Sequence, residues 1–315
     1  MNRREFLMSS AAFGALAVAA PTAFGQDKLT ILGSVPSLSF PFFVHMLNQI
    51  KAEAGAQGVN LIESDGQNSA PKQTADIESA VVQKVNAIVI SPLDVNALAP
   101  AIEAAVQAGV PVVTIDRRVE GVEGILAHVG ADNVKGGEAE AQAMVKDFPN
   151  GAKLFHLQGQ PGAGPAIDRN KGVHNVLDPV KDKYQIVYEQ TANFARAEAL
   201  SVTEAGLAAN GKPDAIICAN DDMALGAAEA CAARGFNDVK IYGFDALPEA
   251  LVAVKEGKLA GTIEQFPGEQ SRTAVRIAVA YARDKKEPEN KLVLLTPQVI
   301  NKDNLDKAER IGETK

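Results

Sequence analysis

Short apolar runs alternate with stretches of helical periodicity along most of the chain. The runs are rich in valine and isoleucine and have the length of β-strands. They are Leu29–Leu32, Asn60–Ile62, Ala87–Ile90, Val112–Ile115, Ala152–Leu157, Gln185–Tyr188, Ala215–Cys218, Val239–Tyr242 and Thr262–Ile263. Because they are continuously apolar rather than alternating, they are typical of parallel strands that are covered on both faces.

Between these strands, apolar residues recur at helical spacing, as Val44, Leu47 and Ile50 do. Gly55 and Gly109 stand where helices are expected to stop. The other predicted helices are Pro71–Val85, Asn96–Ala108, Ala195–Ala209 and Met223–Arg234. The alternation predicts a doubly wound α/β sheet, and its repetition predicts two such halves. No Pro- or Ser-rich linker separates the halves, so a hinge is expected between them.

Composition agrees with this interpretation. The chain has 315 residues, of which 46% are hydrophobic and 22% are charged, enough for two soluble domains with real cores. The net charge is −8, and basic residues are not clustered. A nucleic-acid partner is therefore not expected.

The first 25 residues differ from the rest. Arg3 and Arg4 precede the apolar stretch Ala11–Ala20, which is shorter than the ~20 residues of a membrane span. Small residues follow, so we interpret residues 1–25 as a signal peptide cleaved after Gly25. The Asn-Arg-Arg-Glu-Phe-Leu stretch is typical of the twin-arginine type, with an ordinary secretory signal as the alternative.

Polar side chains that can form two hydrogen bonds at once follow several predicted strands. In an open parallel sheet these strand ends form the ligand-binding edge. The residues are Asp116, Arg117, Asn220, Asp245 and Gln265. Carboxylate, guanidinium and amide groups pair well with adjacent hydroxyls, and aromatic rings cover the apolar faces of a sugar. The candidate aromatic residues are Phe40, Phe42, Phe43 and Phe194.

Several motifs make the chain resemble the periplasmic sugar-binding proteins of ABC importers, the ribose-binding branch in particular, over essentially the whole mature length. The motifs are Pro41-Phe42-Phe43, Ile115-Asp116-Arg117, Ala131-Asp132-Asn133-Val134, Leu157-Gln158-Gly159, Asn220-Asp221-Asp222-Met223-Ala224-Leu225-Gly226 and Gly243-Phe244-Asp245. Taken together they are specific, whereas each alone is weak.

The resemblance implies roles for individual residues. Hydroxyls of the ligand would be bound by Asp116, Arg117, Arg169, Asn220, Asp245 and Gln265, with Phe42, Phe43 and Phe194 around the ring. At two further candidate ligand-binding positions, Phe40 and Ser91, this chain departs from the amides of the ribose pattern. A missing hydrogen-bonding partner changes specificity strongly. The ligand is therefore left open among a ribose-like pentose, a hexose and a sugar alcohol.

The resemblance also implies two similar doubly wound domains joined by a three-crossing hinge. The crossings are expected near Gly130–Ala131, Glu264–Phe266 and Leu295–Thr296. The N-terminal lobe would comprise residues 26–130 plus 266–294, and the C-terminal lobe residues 131–265 plus 295–315. The implied function is periplasmic delivery of a sugar or polyol by hinge closure, without catalysis or cofactor. The implied partners are an ABC permease and its ATPase subunit, with a chemotaxis receptor as a further candidate, and a monomer is expected.

Structural and functional alternatives remain open at this point. In the structural alternatives, Asn220 and Asp245 only cap the helices that follow them. Asp116 and Arg117 only form a surface ion pair, and Arg169 is only a solvated helix residue. A receptor for a sugar-derived signal and a periplasmic enzyme are alternative functions. A sugar-responsive transcription regulator of the same fold would need a DNA-binding headpiece where this chain has a signal peptide.

The glycine-rich stretch, the cysteines and the histidines predict no further functional site. The glycine-rich stretch at 159–164 lacks the spacing of a dinucleotide site and is interpreted as a helix entry. Cys218 and Cys231 are expected to be buried free thiols, with a disulfide as the alternative. The histidines show no metal-ligand spacing, so no metal site is predicted. They are His45, His128, His156 and His174.

Overall fold

A computed structural model describes residues 28–314 of the chain. The predicted signal peptide at 1–25 lies outside these residues. The described part consists of two domains, each built on a parallel sheet, which confirms the predicted fold class.

Twelve strands make up the sheets of the described residues. They are β1 (Thr30–Val35), β2 (Asn60–Asp65), β3 (Ala87–Ile90), β4 (Val112–Ile115), β5 (Ala127–Ala131), β6 (Ala152–Gln158), β7 (Tyr184–Thr191), β8 (Ala215–Cys218), β9 (Lys240–Tyr242), β10 (Thr262–Glu264), β11 (Leu292–Leu295) and β12 (Gln298–Ile300). The nine α-helices of the same range connect and cover them. They are α1 (Pro41–Ala56), α2 (Ala70–Val82), α3 (Ala99–Gln107), α4 (Asn133–Asp147), α5 (Gly164–Leu177), α6 (Arg196–Asn210), α7 (Asp221–Ala233), α8 (Pro248–Glu256) and α9 (Pro267–Asp284).

The first lobe is the sheet β2-β1-β3-β4-β5-β11 with its covering helices, and all its strand pairs are parallel. Helices α1 and α9 pack on one face, and α2 and α3 pack on the other. Successive residues of β1 therefore enter different cores: Ile31 packs on the α1 side and Leu32 on the α2 side. This two-sided burial explains the continuously apolar strands.

The second lobe repeats the arrangement with the sheet β7-β6-β8-β9, again entirely parallel. Helices α6 and α7 cover one face, and α4 and α5 cover the other. A short antiparallel pair, β10 with β12, adjoins this sheet through a bridge between Tyr242 and Gly261. The strand order 2-1-3-4 is the same in both lobes when strands are counted within each lobe.

The chain passes between the lobes at three places. It leaves the first sheet after β5 and enters α4, returns between β10 and α9, and leaves again between β11 and β12. Each lobe is therefore assembled from segments that are distant in sequence.

Several sequence predictions need correction in detail. Gly55 does not stop its helix, because α1 runs on to Ala56 and the left-handed residue that follows is Gly58. The helix expected from Asn96 begins at Ala99, because the Asp94 side chain first accepts hydrogen bonds from the backbone in a turn. Strands β5, β11 and β12 were not predicted.

Two further features concern the chain as a whole. Cys218 and Cys231 are both buried and unpaired, as the sequence favoured. Within residues 28–314, no helix combines the length and the apolar character that a bilayer crossing requires.

Helices α4 and α5 touch through glycines. A Cβ atom at Gly172 would overlap the carbonyl oxygen of Val134, and one at Gly137 would overlap that of Arg169. The close contact fixes the position of α5, and with it the backbone of Arg169.

We expect Gly172→Ala to lower the free energy of unfolding by about 1–3 kcal/mol, because the added methyl group must push the two helices apart. The matched control is Gly55→Ala, also helical, where a Cβ meets nothing within 4 Å. This control should raise stability by about 0.5 kcal/mol through the better helix propensity of alanine. Denaturant unfolding followed by circular dichroism measures both, and equal midpoints for Gly172→Ala and the wild type would contradict the close contact.

Candidate functional site

The carboxyl ends of the two sheets face each other across a narrow cleft, and the cavity between its walls measures about 30 Å³. Ten of the eleven predicted site residues line this cleft, from both lobes. The lining residues are Phe40, Phe42, Phe43, Asp116, Arg117, Pro165, Arg169, Phe194, Asn220, Asp245 and Gln265.

Asp116 and Arg117 follow β4 and are both buried. Asp116 has a left-handed backbone (φ 56°), which turns the chain sharply at the strand end. Its Oδ2 accepts a hydrogen bond of 3.1 Å from the Ser91 hydroxyl. Burial raises the pKa of Asp116, although the nearby guanidinium groups oppose that shift.

Arg117 reaches from the first lobe toward the second. Its Nη1 donates to the Leu93 carbonyl at 2.8 Å and to Gln160 Oε1 at 3.4 Å. Burial lowers the pKa of Arg117 to about 10, so the side chain still carries its charge at neutral pH. The guanidinium lies over Phe43 and Phe194, with 5.2 and 5.7 Å to the ring centroids.

Arg169, on α5, is held in one orientation by several partners. Nε donates to Asn133 Oδ1 at 2.9 Å, and Nη1 donates to the Ala219 carbonyl at 2.6 Å. The guanidinium carbon Cζ lies over the Phe244 ring, 3.5 Å from its centroid. Because these contacts fix the head group, Arg169 is not the solvated helix residue of the alternative interpretation.

Asp245 faces Arg169 at 3.4 Å from its Nη1 and accepts a hydrogen bond of 2.6 Å from Gln265 Nε2. Its backbone is also left-handed, with φ 110°. Asp245 caps no helix, because α8 begins after Leu247 without a side-chain cap. Burial raises the pKa of Asp245 to about 7; Arg169 opposes this shift and the Asp116 charge reinforces it.

Asn220 serves two purposes at once. Its Oδ1 accepts from the Met223 amide at 3.0 Å and caps α7, while its Nδ2 donates to the Phe194 carbonyl at 3.2 Å. The capping alternative is therefore real for Asn220, although the residue also lines the cleft. Phe194 itself has a left-handed backbone (φ 61°), which places its ring in the cleft.

Three phenylalanines of the first lobe form one wall of the cleft. Phe42 and Phe43 meet edge to face at 5.2 Å between ring centroids, and Phe40 packs on Phe43 at 6.3 Å. Phe194 supplies a further aromatic side chain from the second lobe. Such rings offer apolar faces between the charged groups.

Ser91 is buried but does not line the cleft; its hydroxyl lies behind Asp116 and donates to it. The sequence reasoning assigned no role to Pro165, which lines the cleft, or to Asn133, which holds Arg169. Asn133 lies within one of the family motifs, so that motif was the available signal.

Contacts between the lobes hold the cleft closed. The Val95 amide donates to the Gly162 carbonyl at 3.0 Å, and Gln160 Nε2 donates to Asn68 Oδ1 at 3.1 Å. An ion pair between Arg118 and Asp168 also crosses the rim. The glycine-rich stretch leads into α5, as expected, and takes part in closure.

Comparisons with known proteins agree with this geometry. A family model described as periplasmic binding protein domain matches residues 31–286. The ribose import binding protein of Bacillus subtilis is 39% identical over 284 residues, which cover 89% of this chain and 91% of the relative. A Caulobacter myo-inositol binding protein with bound myo-inositol is 42% identical, with a TM-score of 0.87 over 90% of this chain and 97% of that chain. A solute-binding protein from Actinobacillus succinogenes with bound D-allose is 29% identical, with a TM-score of 0.82 over 89% of this chain and 99% of that chain.

Asp245 makes the stability of the ligand-free protein depend on pH. Its pKa is about 7 in the folded chain, against about 3.9 in an unfolded one. The folded state therefore binds more protons between these values, so the contribution of Asp245 to the free energy of unfolding falls as pH rises from 4 to 7. Asparagine cannot ionise, so we expect the stability of Asp245→Asn relative to wild type to increase across this window and level off above it.

Denaturant unfolding at several pH values measures this difference. The control is Asp303→Asn, which changes an exposed carboxylate and should leave the pH dependence as in the wild type. A stability difference between Asp245→Asn and wild type that stays constant from pH 4 to pH 8 would show that burial does not shift this group.

Proposed function

Because this chain belongs to the periplasmic binding protein family, we propose that it binds a neutral, hydroxyl-rich ring and delivers it to an ABC importer. The relatives with which it aligns over most of its length are sugar and polyol import binding proteins. The function requires binding and release only, and no bond of the ligand is made or broken.

The observation that carries the proposal is the buried set of charges in the cleft. Asp116 and Arg117 come from one lobe, and Arg169 and Asp245 come from the other. Charged donors and acceptors of fixed orientation, brought together from opposite sides, can hydrogen-bond hydroxyls around a whole ring. Asn220 and Gln265 lie in the same cleft and would add amide contacts.

The charge balance supports a neutral ligand. When both carboxyl groups are ionised they balance the two guanidinium groups, and the cleft then offers no excess charge to compensate an anion or a cation. Phe42, Phe43 and Phe194 would cover the apolar C–H faces of the ring, and Phe40 would close the remaining side. Ser91 would act indirectly, by orienting the Asp116 carboxylate.

A cyclic polyol with a hydroxyl on every carbon could hydrogen-bond with polar groups on all sides of such a site. The ribose pattern has amides where this chain has Phe40 and Ser91, so two contacts of that pattern are missing. Two solved structures that align over about nine-tenths of this chain, at 42% and 29% identity, hold bound myo-inositol. We therefore propose myo-inositol as the first ligand to test, with a hexose or a sugar alcohol as the next candidates.

Ligand capture would follow from hinge closure of the lobes. We assign residues 26–130 plus 266–294 to the N-terminal lobe and residues 131–265 plus 295–315 to the C-terminal lobe. The interlobe contacts at Gly162 and Asp168 support a closed form that encloses the ligand. The ligand favours closure only to the extent that it contacts both lobes at once.

The proposed site of action is the periplasm. Residues 1–25 would be a twin-arginine signal peptide, so the protein would fold before export. A monomer would then meet the permease and its ATPase subunit, and a chemotaxis receptor is a further candidate partner.

Thermal unfolding with a panel of polyols tests the function. A ligand that binds only the folded state at about 1,000 times its Kd stabilises by about 4 kcal/mol. We expect myo-inositol to raise the unfolding temperature more than D-ribose does. A larger effect of D-ribose would overturn the ligand assignment, and no shift with any sugar or polyol, together with none bound to the purified protein, would overturn the function.

Asp116→Asn tests the site itself. A hydrogen bond to a charged group contributes about 1.5–3 kcal/mol, so we expect the affinity for the ligand found in the panel to fall about 10- to 150-fold with the fold intact. Asp238→Asn, an exposed aspartate outside the cleft, is the matched control. Calorimetric titration gives both affinities, and wild-type affinity in Asp116→Asn would refute the assignment.

Export can be tested in cells. The double substitution Arg3→Lys plus Arg4→Lys keeps the charge of the segment but removes the arginine pair that the twin-arginine machinery reads. We expect the uncleaved precursor to accumulate in the cytoplasm, as detected by fractionation and immunoblotting. Glu5→Gln is the control, and unchanged export of the double variant would favour the ordinary secretory route.

A further inference from the structure

Three side chains outside the cleft converge on one point of the second lobe. Both His156 Nδ1 and His174 Nε2 lie 2.8 Å from Glu189 Oε1. Potential ligand atoms of the three residues all lie within 4.8 Å of one another. His156 is 2% exposed, while His174 and Glu189 are 28% and 33% exposed, so the cluster reaches solvent from one side.

The fold explains why no sequence spacing revealed this cluster. His156 on β6 and Glu189 on β7 are register partners in adjacent parallel strands. His174 comes from α5, which covers this face of the sheet. The same face of α5 carries Asn170 one turn earlier and Asp178 just after the helix ends, at intervals of four residues.

The hydrogen-bonding pattern of His174 is unbalanced. Its Nε2 faces Glu189 Oε1, and its Nδ1 lies 2.9 Å from Asp178 Oδ1. A neutral imidazole has only one N–H, so one of these two contacts would set a nitrogen lone pair against a carboxylate oxygen. The arrangement therefore calls for a positive charge at this position.

The same carboxylate oxygen is also crowded. Glu189 Oε1 faces His156 and His174 and accepts a third hydrogen bond of 2.8 Å from Gln158 Nε2. This oxygen therefore lies between two imidazole nitrogens, with an amide group as its third neighbour.

We propose that His156, His174 and Glu189 form a binding site for a divalent transition metal ion of the zinc class. His156 Nδ1, His174 Nε2 and a carboxylate oxygen of Glu189 would be the three protein ligands, and water on the exposed side would complete a four-coordinate site. The inference concerns a separate site and does not depend on the proposed sugar-binding function.

The surroundings fit such an ion. With His174 Nε2 on the metal, its Nδ1 carries the proton and donates to Asp178, which removes the lone-pair conflict. Zinc-bound histidines commonly have a carboxylate behind them in this way. Gln158, itself hydrogen-bonded to Asn170 Oδ1 at 2.9 Å, would hold the Glu189 carboxylate in place.

The distances require only a small adjustment. Ligand atoms about 2.0–2.1 Å from a tetrahedral zinc ion are roughly 3.3 Å apart, so the two histidine–carboxylate contacts of 2.8 Å must open by roughly half an ångström. Rotation of the partly exposed Glu189 side chain supplies this movement. Two imidazole nitrogens beside one carboxylate select zinc, cobalt or nickel over calcium and magnesium, which prefer oxygen ligands.

Titration of the purified mature protein with Co²⁺ and Zn²⁺ tests the site. We expect one saturable equivalent by calorimetry and visible absorption bands from Co²⁺ that Zn²⁺ abolishes. His174→Gln and Glu189→Gln should lose this signal, and Asp178→Ala should weaken binding by about 10- to 100-fold as loss of a supporting partner does. Circular dichroism of each variant verifies that the fold is retained.

His45→Gln is the matched control, because His45 lies on α1 in the other lobe, beside Glu313. It should bind Co²⁺ as the wild type does. The proposal is overturned if the wild type shows no saturable binding, in which case a protonated His174 between its two carboxylates accounts for the cluster. It is equally overturned if His174→Gln and Glu189→Gln bind as tightly as the wild type, or if His45→Gln alone abolishes binding.

Discussion

Two carboxylates and two guanidinium groups, buried together between the lobes, are the interaction on which the site depends. Neither lobe holds the whole set: Asp116 and Arg117 come from the first, and Arg169 and Asp245 come from the second. An isolated buried charge is very costly, so each must be paired and hydrogen-bonded. Each of the four charged groups makes a hydrogen bond with a hydroxyl, amide or carbonyl group of the surrounding structure.

The hydrogen bonds and ion pairs do not fully offset the cost of burying these charged groups. The stability of the folded protein is therefore linked to ligand binding. The pKa of Asp245 is raised because burial outweighs the attraction of Arg169. Three lining residues, Asp116, Phe194 and Asp245, also have left-handed backbones, which is costly for side chains other than glycine. A ligand whose hydroxyls hydrogen-bond these groups would offset part of their burial cost. It can do so only when both lobes contact it.

The parts of the site that follow strands were predictable from sequence. A parallel sheet brings the ends of its strands to one edge, so a polar residue directly after an apolar run has a foreseeable position. Asp116 after β4 and Asp245 after β9 are examples, and both line the cleft. Strand β5 was missed because His128 and Gly130 interrupt its apolar run. Strand β11 is a short edge strand whose partner is remote in sequence: Leu292 pairs with His128.

The alternation of strands and helices, the polar strand ends and the aromatic residues near them could be read from the amino-acid sequence, because local hydrophobic pattern and chain direction carry that information. Which side chains meet became visible in the assembled fold. Ser91 lies behind Asp116 rather than in the cleft, and His156, His174 and Glu189 converge from two strands and a helix. These contacts depend on register and helix packing, and both are properties of the assembled fold that no local spacing encodes.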